Sequence, residues 1–167
     1  MIHIRPLTPD DVPAAAALLR RAAEEFILHE STPEDGAAFL AEQGEAGMRR
    51  FLAQGLVYHV AEVDGELGAE LAGFIAIRER SHVYSLYVDK RFHRRGIARL
   101  LWNTARAAAL GPDHRGVFTV NSSTHAMPFY ASLGFVPTAP TQVSIVRYNP
   151  MRLVADPGPA AALVDPA

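Results

Sequence analysis

The chain has 167 residues and a formal net charge of −2, and 49% of its residues are hydrophobic. This length suits one globular domain, and the near-neutral charge makes nucleic acid a poor default partner. The sequence has no cysteine, which excludes a disulfide framework, a thiolate zinc site and a cysteine nucleophile. The first residues lack a signal-peptide pattern, and no apolar run approaches the ~20 residues of a membrane span, so a cytoplasmic protein is expected.

The N-terminal third predicts one strand followed by two helical regions. Alternating isoleucines within residues 2–4 indicate the strand. Thr8, followed by a proline and two acids, is a helix start signal with Thr8 as the cap. The same signal recurs at Thr32, and the second helical region is expected to break at Gly44 or Gly47.

The rest of the chain alternates β-branched and aromatic runs with helical periodicity. Three strands, a helix, a strand, a helix and two final strands are predicted. Their residues are 56–63, 71–77, 82–88, 97–108, 117–120, 123 or 124 to 133, 135–136 and 142–148. The last stretch, residues 155–167, is rich in proline, alanine and glycine and is expected to be disordered, which leaves one domain over residues 1–154.

A basic loop after the predicted strand 82–88 is the most informative segment. It contains Arg94, Arg95 and Gly96 and leads directly into a helix. Unpaired backbone N–H groups at a helix start bind anions, and Gly96 lets a ligand approach the backbone. The two arginines add positive charge beside the same place. On the residues alone, one alternative stays open: the loop is a solvated basic turn, and Gly96 merely starts the helix. The segment contains neither a Walker loop nor a dinucleotide-binding fingerprint.

A second segment follows the predicted strand 117–120. Asn121 ends that strand, and the next helix carries Phe-Tyr, with Tyr130 as the tyrosine, before Leu-Gly-Phe. Together the two segments resemble the motifs of the GNAT superfamily of N-acetyltransferases. In the first motif, Gln or Arg is followed after two residues by Gly, and two positions later by Gly or Ala. Gly96 and Ala98 match this pattern, whereas His93 stands where Gln or Arg is usual.

The resemblance implies an α/β fold with a mixed, mostly antiparallel sheet flanked by helices. In that fold the strands ending near Val88 and Asn121 splay apart, and the pantetheine arm of acetyl-coenzyme A lies between them, paired with free backbone groups of Leu86 and Val88. The residues implied in cofactor binding are Leu86, Tyr87, Val88, His93, Arg94, Arg95, Gly96, Ile97, Ala98, Arg99, Asn121 and Ser123.

Two residues are candidates for catalysis. The resemblance places Tyr130 near the thioester sulfur, where its phenol would protonate the departing thiolate. The alternative is an amphipathic core aromatic, the usual role of an isolated tyrosine on a helix. His82 is the candidate general base, because imidazole titrates near neutrality and this position in the family often lies near the substrate amine. A half-buried ring at a strand edge is the competing interpretation of His82. The histidines show no metal-ligand spacing.

These observations predict an enzyme that moves an acetyl group from acetyl-coenzyme A to an amine by direct attack in a ternary complex. The competing hypothesis is a non-catalytic module that binds acyl-coenzyme A and senses or regulates. The acceptor is expected to be an amine of a small molecule or a peptide, with no nucleic acid or membrane as partner, and the sequence is compatible with a homodimer. No motif identifies the amine.

Overall fold

The computed structural model describes residues 1–154, so the predicted disordered tail, residues 155–167, lies outside the described residues. Five α-helices and eight strands follow one another along the chain. Their bounds are β1 (Ile2–Pro6), α1 (Val12–Phe26), α2 (Pro33–Gln43), α3 (Glu45–Ala53), β2 (Val57–Gly65), β3 (Gly68–Arg78), β4 (His82–Val88), α4 (Ile97–Ala109), β5 (Val117–Ser122), α5 (Met127–Ser132), β6 (Val136–Pro137), β7 (Gln142–Val143) and β8 (Arg147–Val154).

The strands form one sheet in the order β1-β2-β3-β4-β5-β8-β6, and β7 pairs with β8. Every pairing is antiparallel except that of β4 with β5, which is parallel. The predicted mixed, mostly antiparallel sheet is therefore confirmed. No helix within residues 1–154 combines the length and the apolar character needed to cross a bilayer.

Helices cover both faces of the sheet. Central strand β3 is buried on both sides, so its side chains alternate between two cores. Phe74 points to the core built by α1 and α3, whereas Ile75 points to the core built by α4 and α5. In the second core, the Trp102 ring packs edge-on against Phe118 and Phe135, with ring centroids 5.1 and 5.5 Å apart.

The ends of three predicted elements differ from the observed ones. Thr8 does not cap with its side-chain oxygen: its hydroxyl and its backbone N–H both donate to the Asp11 carboxylate, at 3.0 and 2.7 Å, and a 3-10 turn precedes α1. The last helix, predicted from residue 123 or 124, begins only at Met127, because residues 124–126 form a turn held by Ser123. The strand predicted over residues 142–148 is instead two strands, of which β8 extends to Val154.

The pairing of β4 with β5 stops after two residues. Only His82 and Val83 have partners on β5, namely Thr119 and Val120. On its other edge β4 carries a β-bulge, since Val83 and Ser85 face neighbouring residues of β3 and the intervening residue Tyr84 is extra. A bulge bends a strand and increases its twist. The two strands therefore diverge from Tyr84 onward, which confirms the predicted splay.

Candidate functional site

A cavity of about 620 Å³ occupies the gap between the diverging strands. Its wall includes every residue that the sequence assigned to the site except His82 and Arg95. The assigned residues in the wall are Leu86, Tyr87, Val88, His93, Arg94, Gly96, Ile97, Ala98, Arg99, Asn121, Ser123 and Tyr130. The two motifs, which lie over twenty residues apart in sequence, thus meet across one cavity.

The exposed edge of β4 supplies backbone hydrogen-bonding groups to this cavity. The N–H of Asp89 donates to the carbonyl of Ala72 on β3 at 2.8 Å. Because the peptide unit is planar and trans, the Val88 carbonyl points the opposite way, toward the cavity. The backbone groups of Leu86 point the same way, since strand geometry repeats every two residues. The Val88 carbonyl is not free, however: the Nε2–H of His93 donates to it at 2.9 Å.

The loop into α4 has the geometry of an anion site. Gly96 has φ +76° and immediately precedes α4. A Cβ at Gly96 would meet no protein atom within 4 Å, so glycine is favoured here by the backbone conformation and leaves the approach to the backbone open. The N–H groups of Ile97, Ala98 and Arg99 belong to the first helical turn, where no intrahelical carbonyl pairs with them. They lie at the positive end of the helix dipole and in the cavity wall.

The arginines of the loop differ in position. Arg94 and Arg99 line the cavity, and Arg99 donates to the hydroxyl of Ser132 on α5 at 3.2 Å. Arg95 does not contribute to the wall, because its guanidinium lies over the Phe92 ring, 5.2 Å from the ring centroid, in a cation–π contact. The positive charge beside the loop amides therefore comes from Arg94 and Arg99.

The buried carboxylate of Asp89, which the sequence analysis missed, stabilises this loop through hydrogen bonds. Asp89 accepts from the backbone N–H of Arg91 at 3.0 Å, from the Arg91 guanidinium at 2.9 Å, and from Arg21 of α1 at 3.0 Å. The hydrogen bonds from Arg91 lower the pKa of Asp89 to about 2, so the carboxylate stays ionised at neutral pH. The sequence does show an acid at the start of the basic loop. It does not show the pairing of Asp89 with Arg21 of α1, because the two residues are 68 positions apart.

Tyr130 lies on α5 at the inner wall of the cavity. Its side chain is nearly buried, with Phe129 and Phe135 packed edge-on at centroid distances of 5.4 Å. Burial raises the pKa of the Tyr130 phenol, and the proximity of Tyr87 raises it further. Among residues 1–154, the Tyr130 hydroxyl has no hydrogen-bond partner. The phenol is thus a protonated donor at neutral pH, in the wall of a cavity.

The β5 side of the cavity is held by Asn149, which the sequence analysis also missed. This buried side chain donates to the Ser122 carbonyl at 3.1 Å and to the Thr124 hydroxyl at 3.3 Å. Its carbonyl oxygen accepts from Thr141 at 2.7 Å. Asn149, on β8, therefore stabilises the turn that places Ser123 in the cavity wall. The last strand was predicted to end at residue 148, so the sequence did not place Asn149 in a strand.

His82 lies where β4 and β5 are still paired, outside the cavity wall. Its Nδ1 forms a hydrogen bond of 2.8 Å with the hydroxyl of Thr119. Burial lowers the pKa of His82, and the charge of Arg78 lowers it further, while Glu79 opposes the shift. The imidazole is therefore neutral at neutral pH, as a base must be, but it does not contact the cavity directly.

Comparison with known proteins agrees with this geometry. Residues 27–155 match the family described as the acetyltransferase (GNAT) domain. A GCN5-related N-acetyltransferase from Rhodopseudomonas palustris superposes with a TM-score of 0.75 at 23% identity, over 91% of this chain and 94% of that one. The PaiA N-acetyltransferase from Thermoplasma acidophilum, solved in complex with coenzyme A, gives a TM-score of 0.72 at 16% identity, over 91% and 98% of the two chains.

A third solved structure, YncA from Salmonella typhimurium with acetyl-coenzyme A, gives a TM-score of 0.64 at 20% identity, over 95% of this chain and 96% of that one. No match was found among curated protein sequences. At these identities the solved structures show a shared fold, whereas the family match extends over most of the sequence. The chain therefore belongs to the GNAT family of acetyltransferases.

Proposed function

We propose that this protein transfers an acetyl group from acetyl-coenzyme A to an amine of a small molecule or a peptide, by direct attack in a ternary complex. One observation carries the proposal: the cavity between β4 and β5 joins the free amides of α4 to the unpartnered hydroxyl of Tyr130. The two structural neighbours solved with coenzyme A or acetyl-coenzyme A support the same cofactor here.

The residues present fit such a cofactor. The first-turn amides of α4, with Arg94 and Arg99, suit its pyrophosphate, because both the dipole and the side chains are positive. The backbone groups of Leu86 suit an amide of the pantetheine arm. The Val88 carbonyl already accepts one hydrogen bond from His93, and its second lone pair can accept one from the arm. Acetyl-coenzyme A would supply the acetyl group as a thioester.

Tyr130 is proposed as the general acid. The amine nitrogen forms a bond to the acetyl carbon, the carbon–sulfur bond breaks, and Tyr130 gives its proton to the departing sulfur. The raised pKa of its phenol keeps that proton in place until negative charge develops on the sulfur. Direct attack agrees with a sequence that has no cysteine to carry the acetyl group.

His82 remains the proposal for the base that removes a proton from the amine. Its lowered pKa keeps it neutral, which favours this role. Because its ring does not line the cavity, it would have to act through a bridging water or hydroxyl group, which is one of the two geometries open to a general base.

The direct test is release of free thiol from acetyl-coenzyme A in the presence of a panel of amines. The protein has no cysteine of its own, so a thiol-reactive dye reports only the released coenzyme A. An acetyltransferase releases thiol in proportion to the amine added and yields the acetylated amine by mass spectrometry. A non-catalytic binding module would bind coenzyme A without amine-dependent release, and that result would contradict the proposal.

A further inference from the structure

Two valines line the closed end of the cavity between β4 and β5. Val83 of β4 and Val120 of β5 are the last residues that pair before the two strands diverge, and both belong to the cavity wall. We propose that Val83 and Val120 form the floor of the acyl pocket and that they limit the acyl group of the cofactor to acetyl. The proposal rests on the proposed acetyl transfer and adds which acyl groups the same site admits.

The side chains of this floor are adjacent, apolar and stiff. Val83 and Val120 belong to the core built by α4 and α5, and they are only 2% and 3% exposed. Residues that pair on neighbouring strands project to the same face of a sheet, so the two side chains lie side by side. Both are β-branched, which restricts χ1 and leaves them little freedom to turn aside. The floor therefore suits a methyl group and offers nothing to a charged acyl group such as succinyl.

The floor has no room to recede. Beyond it the sheet is closed, because the N–H of Thr119 donates to the Ser81 carbonyl at 2.9 Å. The core that contains the two valines also contains Trp102 and Phe118, whose rings pack edge-on with centroids 5.1 Å apart. Protein interiors are close-packed, so an additional methylene group at the floor must displace packed side chains.

The direction of the cofactor brings its acyl group to this floor. The α4 amides that suit the pyrophosphate follow the open end of β4, whereas Val83 lies five residues before Val88, about 17 Å away at ~3.3 Å per residue. A cofactor held by its pyrophosphate at α4 extends along the open edge of β4, with its acyl group as the leading end. Tyr130, the proposed acid, belongs to the same wall and the same core as the two valines.

Calorimetry with coenzyme A, acetyl-coenzyme A and propionyl-coenzyme A tests the floor. One methylene group in a closed apolar pocket changes affinity by roughly 10–200-fold, so the wild type should bind propionyl-coenzyme A at least about tenfold more weakly than acetyl-coenzyme A. Val83→Ala and Val120→Ala each remove two carbon atoms from the floor, and each should narrow this ratio to about threefold or less. Free coenzyme A has no acyl group, so its affinity should change little in either variant.

The matched control is Val63→Ala. Val63 is a buried valine of β2 in the same core, 5% exposed and outside the cavity wall, so its variant should keep the wild-type ratio. This control separates a wider pocket from a general loss of packing. If one floor variant does not fold, the other makes the same test, and the wild-type ratio needs no substitution at all.

Three results would overturn the proposal. They are equal wild-type affinities for the acetyl and propionyl forms, an unchanged ratio in the folded floor variants, and a ratio that narrows as much in Val63→Ala. Because binding requires no turnover, the test is independent of the reaction. A protein that shows the expected affinities but releases no thiol with any amine would overturn the proposed transfer and leave the acyl floor in place.

Discussion

The two halves of β4 have different neighbours. At its start, His82 and Val83 pair with β5, and the Ser81 carbonyl accepts from the N–H of Thr119 at 2.9 Å. From Tyr84 to Val88 the same edge has no strand partner among residues 1–154 and borders the cavity. The difference shows that the site arises where the sheet fails to close. The closed half holds the strands together, and the open half leaves backbone groups for a ligand.

The segments that follow β4 and β5 form the rest of the cavity wall. The helix α4 begins at the open end of β4, so its unpaired amides and the free edge of the strand face one cavity. The turn after β5 brings Ser123 and α5 to the opposite wall. We therefore expect substitutions around the open half to affect ligand binding and turnover, and substitutions in the closed half to act more weakly.

The largest effect is expected at Tyr130, across the cavity from the open half. Tyr130→Phe removes the hydroxyl and keeps the packed ring, so kcat should fall by roughly 10²–10⁴-fold, as for the loss of a general acid. Because the aromatic contacts with Phe129 and Phe135 persist, the melting temperature and the affinity for coenzyme A should change little. A variant with full turnover would return Tyr130 to a purely structural role.

The next largest effect is expected at Gly96, where the loop meets α4. Asn and Asp both tolerate positive φ and have nearly the same shape, and a Cβ at this position meets no protein atom within 4 Å, so the two substitutions differ mainly in charge. Gly96→Asp should weaken coenzyme A binding by about 10²-fold, since like charges placed together cost several kcal/mol. Gly96→Asn serves as the control for backbone conformation. Equal affinities of the two variants in calorimetry would argue against a pyrophosphate at this loop.

A smaller effect is expected at Asn149, which holds the turn after β5. Asn149→Ala removes hydrogen bonds to Ser122, Thr124 and Thr141, and it leaves a buried carbonyl without its donor. The free energy of unfolding should fall by about 1–3 kcal/mol, measured by urea denaturation. Because Ser123 is positioned by the same turn, coenzyme A affinity should fall too. Lost stability with unchanged affinity would mean that the turn does not shape the binding cavity.

Local sequence signals predict well the open half of β4 and the helix that follows it. The bounds of β4 follow from a short apolar run, and α4 follows from helical spacing after Gly96. Nearly all of the residues that the family motifs mark lie in the wall of one cavity. The N-terminal helices break at Gly44, one of the two glycines expected.

The features that the sequence did not predict depend on contacts between distant segments. Asn149 and Pro150 resemble the end of a strand, yet β8 continues through them because it pairs with β5 over six residues. Asp89 gains its role from Arg21, which belongs to α1. His82 was predicted to be a catalytic base, but it lies in the closed half of β4. Its distance from the cavity depends on where β4 and β5 separate, and no local sequence pattern predicts that position.

The smallest effect is expected at His82, in the closed half. If His82 is the base, the acid limb of kcat/KM should lie below the ordinary imidazole pKa of 6.5, because burial and Arg78 lower the pKa and keep the ring neutral to lower pH. His82→Ala should then remove this limb and reduce the maximal rate by less than Tyr130→Phe does. A pH–rate profile of both proteins with the same amine measures this. If the limb survives unchanged, His82 serves the fold through Thr119, and a thermal melt should then show the loss.

Titration of ¹⁵N-labelled protein with coenzyme A, followed by amide NMR shifts, tests the contrast between the two halves most directly. We expect large shifts at Leu86 and at the amides of Gly96 to Arg99, and a small shift at His82, which pairs with β5 and lies outside the cavity wall. A shift that is as large at His82 as at Leu86, or amides of Gly96 to Arg99 that do not move, would contradict the claim that the open half of β4 and the start of α4 form the binding site.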